Sequence, residues 1–462
     1  MTMTTMNRRG FLARVGAVAG MGASQSFALN LLAMNQAVAS DIPDYKALVG
    51  VFLLGGNDHA NTLVPIDTTN YPIYQKHRGN IALDRASVLP LSPKQPLANG
   101  VQYGLHPNLK RLQALFNQQK LAVLQNVGTL IMPTNKQLYQ TQAYNLPPKL
   151  FSHNDQQAFW QTNAQEGKGH GWGATLGQLT MSQNKSPLFT CLNTSPNGKM
   201  GLLAGNQVSQ FNLSEDGAIT MYGFEKADND NWLFHSNQVP KLVKQMMATP
   251  RQNVFEQQIS QTFGNSLYAQ ATLRQAFTQA NITTPFADTS LAKQLKSVAN
   301  MIKSNSLLGN QRQVFIVTLG GFDCHDNLLT KHGELMAELD EALASFYQAT
   351  VEMGLANQVT TFTMSDFGRT FANNGDGTDH GWGGHHFIMG GAVKGQMIYG
   401  QTPEYGVDTA SDVGQGRLIP TTSTDQYAST LARWFGVADK DMPMVATNIH
   451  NFSQRYLDFM VN

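Results

Sequence analysis

Val314-Phe315-Ile316-Val317-Thr318-Leu319-Gly320-Gly321-Phe322-Asp323-Cys324-His325 is the stretch on which the reading of this chain turns. A short apolar run without helical period, closed by two glycines, reads as a strand buried on both faces. An acid and an imidazole follow it, one residue apart. The pattern recurs at Val359-Thr360-Thr361-Phe362-Thr363-Met364, which breaks into Ser365-Asp366-Phe367-Gly368-Arg369-Thr370. It recurs once more where Asp379-His380-Gly381-Trp382-Gly383-Gly384-His385-His386 leads into Phe387-Ile388-Met389. Between the first two runs, His332 to Thr350 carries Leu335, Leu339, Leu343 and Phe346 on one helical stripe. Strand, helix, strand argues for a parallel sheet, and open α/β sheets gather their sites beyond the strand ends. The fold expected is α/β, a mostly parallel central sheet flanked by helices.

Working outward, Ala47 to Leu54 is another continuous apolar run, ended by Gly55-Gly56 and followed by Asn57-Asp58-His59. A helix is expected from Asn108 to about Gln119 and a strand from Leu121 to Val127, followed by a long loop. Phe151-Ser152-His153 then opens a helix with Ser152 or Asn154 as its N-cap. Residues 182–284 turn rich in Gln, Asn and Ser with helical patterning, and read as a helical insertion or a cap over the site. Helices from Leu291 to Ile302 and around Tyr427 to Phe435 complete the outline.

Apolar residues make up 42% of the 462-residue chain, enough for a sizeable core. Lys plus Arg (32) nearly balances Asp plus Glu (31). That balance gives no footprint for nucleic acid or an anionic membrane surface. The two cysteines, Cys191 and Cys324, are too few for a disulfide framework and read better as buried free thiols.

Asn7-Arg8-Arg9-Gly10-Phe11-Leu12 is a twin-arginine motif. A weakly apolar run from Val15 to Leu32 and the small residues Ala37-Val38-Ala39 follow in the order an export signal requires. Residues 1–39 are therefore expected to be a signal read by the twin-arginine translocase. Residues 40–462 are the mature α/β domain, destined for the periplasm or the outside. No other run approaches the ~20 apolar residues of a membrane span.

Asp323, His325, Asp366, Asp379, His380, His385 and His386 form the densest group of metal-capable side chains. A mixture of Asp and His without a thiolate pattern suits zinc, manganese or iron better than calcium. If His385 and His386 lie in a strand they point to opposite faces. His332 reads as a solvated helix residue, and Cys324 as buried rather than nucleophilic. Ser152, at the mouth of a helix where free N–H groups favour an anion, is the candidate nucleophile, and plain capping accounts for it equally well.

The order of these motifs resembles the alkaline phosphatase and sulfatase superfamily. More narrowly, the chain resembles the exported bacterial family known as domain of unknown function 1501. The narrow resemblance is carried by Leu53-Leu54-Gly55-Gly56-Asn57-Asp58, Leu105-His106-Pro107, Phe151-Ser152-His153, Gly321-Phe322-Asp323-Cys324-His325, Ser365-Asp366-Phe367-Gly368-Arg369, and Gly377 to His386. The resemblance implies an alkaline phosphatase/sulfatase-like fold and hydrolysis of a phosphate or sulfate ester. It implies Asp58, Asp323, His325, Asp366 and His380 as ligands of a divalent cation, zinc first, with manganese and calcium as alternatives. It also implies Ser152 as nucleophile. Arg369, after the Met364 strand, is a candidate to neutralise the charge of an anionic ester substrate, and a surface position at a helix start accounts for it equally well. Phe367 stands where the wider superfamily has a histidine, which motivates the alternative of a catalytically inactive exported binding or assembly protein.

Overall fold

The computed structural model describes residues 45–144, 146–164, 169–196, 198, 200–208, 210–214, 236, 238–249 and 252–461. The expected export signal lies outside the described residues. Strands of the main sheet are, in chain order, β1 (Lys46–Leu53), β2 (Leu121–Gly128), β3 (Cys191–Asn193), β4 (Phe211–Asn212), β5 (Arg312–Leu319), β6 (Val359–Ser365), β7 (Gly384–Gly390), β8 (Ile398–Tyr399) and β9 (Thr422–Ser423). Their order across the sheet is β8-β2-β7-β6-β1-β5-β3-β4, with β9 also paired to β2. A smaller sheet joins Leu63–Pro65, Tyr103–Leu105 and Leu89–Pro90.

β1 lies between β5 and β6 and runs parallel to both, with Leu53 level with Leu319 and with Ser365. The three chains therefore leave the sheet at one rim, where Gly55, Asp323 and Asp366 emerge together. β7 differs: it is antiparallel to β6 and to β2, with Ile388 opposite Phe362. Its amino end, not its carboxyl end, reaches that rim. This reversal is why His380, which precedes its strand, meets Asp323, which follows one.

Alternation along the strands builds a core on each face. Val49, Val51, Phe315 and Val317 join one buried cluster with the helices Ser290–Lys303 and Leu328–Glu352. Leu48, Phe52, Val314, Ile316, Phe362 and Met364 join the other, with Leu176, Leu431 and Phe435 from Trp172–Thr180 and Thr424–Phe435. Each such side chain, once buried, contributes about 1.5–3 kcal/mol.

The 182–284 segment supplies β3 and β4 to the sheet edge beside β5. It also supplies the helix Val254–Ala280, whose Ala269, Leu273 and Ala276 enter the core. Cys191 and Cys324 are both free and buried. One expectation is corrected: His332 is buried, and its Nε2 lies 3.0 Å from Asn57 Oδ1, because the helix Leu328–Glu352 lays that turn under the β1 end rather than toward solvent.

Candidate metal centre

Two glycines make the rim. Gly55 and Gly56 have φ of +113° and +85°, a region open to glycine and strained for other residues. A Cβ on Gly55 would sit 2.5 Å from the Asp323 amide nitrogen, and one on Gly56 would run into the Phe367 ring. With both turns in place, the Gly55 N–H donates to Asp366 Oδ1 at 3.0 Å. Asp366 is fully buried, and its Oδ2 also accepts from Gln157 Nε2 and meets His153 Nδ1, each at 2.7 Å. Gln157 and His153 belong to the helix His153–Thr162, so this one carboxylate ties that helix to the strand ends.

On the far side of the His153 ring lies the cluster. Asp323 Oδ1 is 3.0 Å from His325 Nε2 and 3.3 Å from His380 Nε2, while Oδ2 is 3.4 Å from His153 Nε2. The two imidazole atoms His325 Nε2 and His380 Nε2 are 3.0 Å apart. His153, Asp323 and His380 each offer a ligand atom, all within 4.8 Å of one another. Donors bound at about 2.0–2.2 Å to one tetrahedral ion would lie roughly 3.3–3.6 Å apart. The distances from Asp323 to the three imidazoles, 3.0–3.4 Å, are close to that size, while His325 lies outside the three-residue group; nitrogen with carboxylate oxygen is a donor set that zinc, manganese and iron accept.

Electrostatics separate the members. Burial alone would lift the Asp323 carboxyl, but the Arg369 guanidinium, 2.5 Å away, holds it below the usual carboxylate range. The hydrogen bond to Asp366 raises His153. Burial lowers His380, against its bond to the Phe151 carbonyl. Phe367 packs on both rings, with centroids 4.9 Å from His153 and 4.8 Å from His380, and gives the two imidazoles, themselves 4.3 Å apart, an apolar backing.

The sequence matches the family described as Protein of unknown function (DUF1501) over residues 45–447. The chain belongs to that family. No curated protein matches this DUF1501 chain. Solved structures to which it is similar include the PsFucS1 sulfatase from Pseudoalteromonas sp., at 10% identity and a TM-score of 0.35, covering 95% of this chain and 75% of that one. A protein of the alkaline phosphatase superfamily from Vibrio parahaemolyticus shows 9% identity and a TM-score of 0.35, covering 93% and 79%. The lipoteichoic acid synthase LtaP from Listeria monocytogenes shows 10% identity and a TM-score of 0.33, covering 91% and 81%.

Of the residues expected at the site of this DUF1501 protein, Asp323, His325 and His380 meet in the cluster. Asp366 stands behind His153, one ring removed. Asp58 does not join them: it is buried against Arg78, which ends the helix Asn70–Arg78, and the two form an ion pair. Arg369 is fully buried, and it donates to Asp323, to the Gly55 carbonyl at 3.2 Å and to Thr378. Its guanidinium holds a cluster residue and does not reach outward for an anion. Ser152 occupies the N-cap position of its helix, yet its hydroxyl makes no cap bond and lies 2.9 Å from Asp155 Oδ2.

One participant escaped the sequence reading: His153 was visible only as the residue after Ser152. Asp379, counted there among the metal-capable side chains, has its Oδ1 3.3 Å from His325 Nδ1 and accepts from Asn374 at 2.9 Å. The signal that could have found His153 is its place at a helix start in a motif that otherwise supplies only a serine. His385 and His386 point away from the cluster and from each other. The first faces His59, ring centroids 5.0 Å apart, and the second faces Trp160 at 4.9 Å.

Proposed function

We propose that this DUF1501 protein is an exported, metal-dependent hydrolase of phosphate or sulfate esters, with a divalent cation held by His153, Asp323, His325 and His380. The observation that carries the reading is the convergence of four donor side chains from three separate chain segments on one rim. When bound, the cation supplies a positive charge that polarises an ester oxygen and stabilises developing negative charge. Asp323, kept ionised by Arg369, supplies the anionic ligand. Ser152, beside His153 and at the amino end of a ten-residue helix, is the nucleophile of this reading. Its oxygen forms the bond to phosphorus or sulfur, the ester oxygen leaves and takes a proton, and water then releases the serine. Twin-arginine export to the periplasm or outside belongs to the same proposal, since that route carries folded, metal-loaded proteins.

The test is to purify the exported protein, assay its metal by elemental analysis and screen aryl phosphates and aryl sulfates. Turnover that disappears on chelation and returns with zinc or manganese is the expected result. Protein that binds metal stoichiometrically and splits neither ester class contradicts the hydrolase part. One observation favours a second reading, that of a metal-loaded binding or assembly protein. Arg369 is committed inside the protein and the Ser152 hydroxyl is engaged with Asp155. Ser152→Ala decides between them: turnover lost by orders of magnitude supports the nucleophile, and a phenotype unchanged by it supports binding alone.

A further inference from the structure

The hydrogens of two cluster imidazoles, His153 and His380, are set from outside the cluster. His153 Nδ1 lies 2.7 Å from Asp366 Oδ2, His325 Nδ1 lies 3.3 Å from Asp379 Oδ1, and His380 Nδ1 lies 2.7 Å from the Phe151 carbonyl oxygen. A carboxylate and a carbonyl only accept, and at His153 and His380 these contacts are shorter than the 3.4 and 3.3 Å from Nε2 to Asp323, so Nδ1 carries the hydrogen there. His325 stands between two acceptors, its Nε2 3.0 Å from Asp323 Oδ1 and its Nδ1 3.3 Å from Asp379 Oδ1, so geometry does not fix its tautomer. In the neutral His153 and His380 rings Nε2 is a bare lone pair, and both lone pairs face the Asp323 carboxylate. His153 Nε2 is buried without a hydrogen-bond partner. Facing lone pairs repel, and an electron-poor centre among them removes the conflict.

We propose that Asp366 and the Phe151 carbonyl are positioning groups that fix His153 and His380 in the tautomer that offers Nε2 to a divalent cation. The inference rests on the metal part of the reading above and is independent of the ester chemistry. Asp366 is thereby distinguished from a ligand: its two oxygens already serve Gly55, Gln157 and His153, and the His153 ring stands between it and the cluster. The Phe151 acceptor is also built in. Phe151 has φ of +76°, a left-handed conformation rare for an aromatic residue, and this helps turn its carbonyl onto His380. Arg417 secures both partners, donating to the His380 carbonyl at 2.8 Å and lying 5.0 Å from the centre of the Phe151 ring.

The experiment uses the full mature chain and zinc alone as the probe. In alkaline buffer, nitrogen-15 spectra of histidine-labelled, metal-free protein are expected to show His153 with a protonated Nδ1 and a bare Nε2. Zinc affinity, measured by competition with a chromophoric chelator, should fall about 10–100-fold in Asp366→Ala. It should fall less in Asp366→Asn, which keeps an oxygen able to accept from His153. Folded Asp366→Ala protein that binds zinc within twofold of the natural chain overturns the proposal, as does a His153 that carries its hydrogen on Nε2. If Asp366→Ala does not fold, the spectrum of the unaltered protein decides alone. Intact zinc binding with no ester turnover removes the hydrolase and leaves this assignment standing.

Discussion

Asp58 and Asp323 follow neighbouring parallel strands at the same rim, and their surroundings give them different work. Asp58 is sealed in with Arg78, so its charge is spent on a cation the chain itself supplies. Asp323 is half-exposed, faces three imidazoles and is braced from behind by Arg369. Removing one partner of a buried ion pair strands the other charge, at a cost of about 3–5 kcal/mol. Asp58→Asn should therefore lower stability by roughly that amount while bound zinc per chain stays unchanged. Asp323→Asn should do the reverse. It keeps the fold and loses zinc affinity by more than the ~10–100-fold typical of an outer partner. Urea denaturation paired with elemental analysis of both variants checks this. A stable Asp58→Asn protein that has lost its metal would return Asp58 to the ligand set.

At the scale of elements, strand runs were readable because burial on both faces leaves continuous apolar stretches, as in Ala47–Leu53 and Val314–Val317. The helices Leu328–Glu352 and Ser290–Lys303 were readable from their stripes and run only slightly beyond the residues that show them. The parallel run of β5 and β6 was readable from the helix between them, but the direction of β7 was not, because its sequence reads the same parallel or antiparallel and only pairing decides. Nor was the Asp58 pairing, since Arg78 comes from a different helix and no local pattern links the two. His153 was hidden for a similar reason: it reaches the rim from a helix start, not from a strand end. The glycine turn was legible, and its packing sharpens it into a prediction. Gly56→Ala meets both a strained φ and the Phe367 ring, whereas Gly354→Ala meets a φ of +72° with no atom within 4 Å. The second should cost about 1 kcal/mol and leave zinc binding unchanged. The first should cost more and weaken zinc binding, because Phe367 also packs on His153 and His380. Equal stability losses, with zinc affinity untouched in both, would contradict the packing role of Phe367.

Among the described residues, five deeply buried histidines stand apart from His153. Burial holds His106, His332, His385 and His386 down to about 3, and His59 well below its ordinary value. Unfolded histidines titrate near 6.5. Between those values the unfolded chain binds more protons than the folded one, so stability falls as pH falls below about 6.5. The slope approaches ~1.4 kcal/mol per pH unit for each such residue. His153 is raised by its bond to Asp366, so its contribution is present below the unfolded value and lost as pH rises through the folded one. The buried five outnumber it. Urea midpoints of metal-free protein should therefore drop steeply from about pH 7 to about pH 5, and a midpoint that rises over that range would contradict the buried, neutral assignment. Among the described residues no helix is long and apolar enough to cross a membrane. Export itself is tested by replacing Arg8 and Arg9 with lysine, which should retain the protein in the cytoplasm, whereas unchanged export would reject the twin-arginine reading.

The claim on which the rest depends is that one divalent cation sits among His153, Asp323, His325 and His380. X-ray diffraction from zinc-soaked crystals, recorded on both sides of the zinc absorption edge, tests it most directly. The account predicts a single strong anomalous peak bonded to three imidazole Nε2 atoms and an Asp323 oxygen, with Asp366 and Asp379 one shell out. A peak at Asp58, or none at this rim in crystals that hold zinc elsewhere, would contradict it.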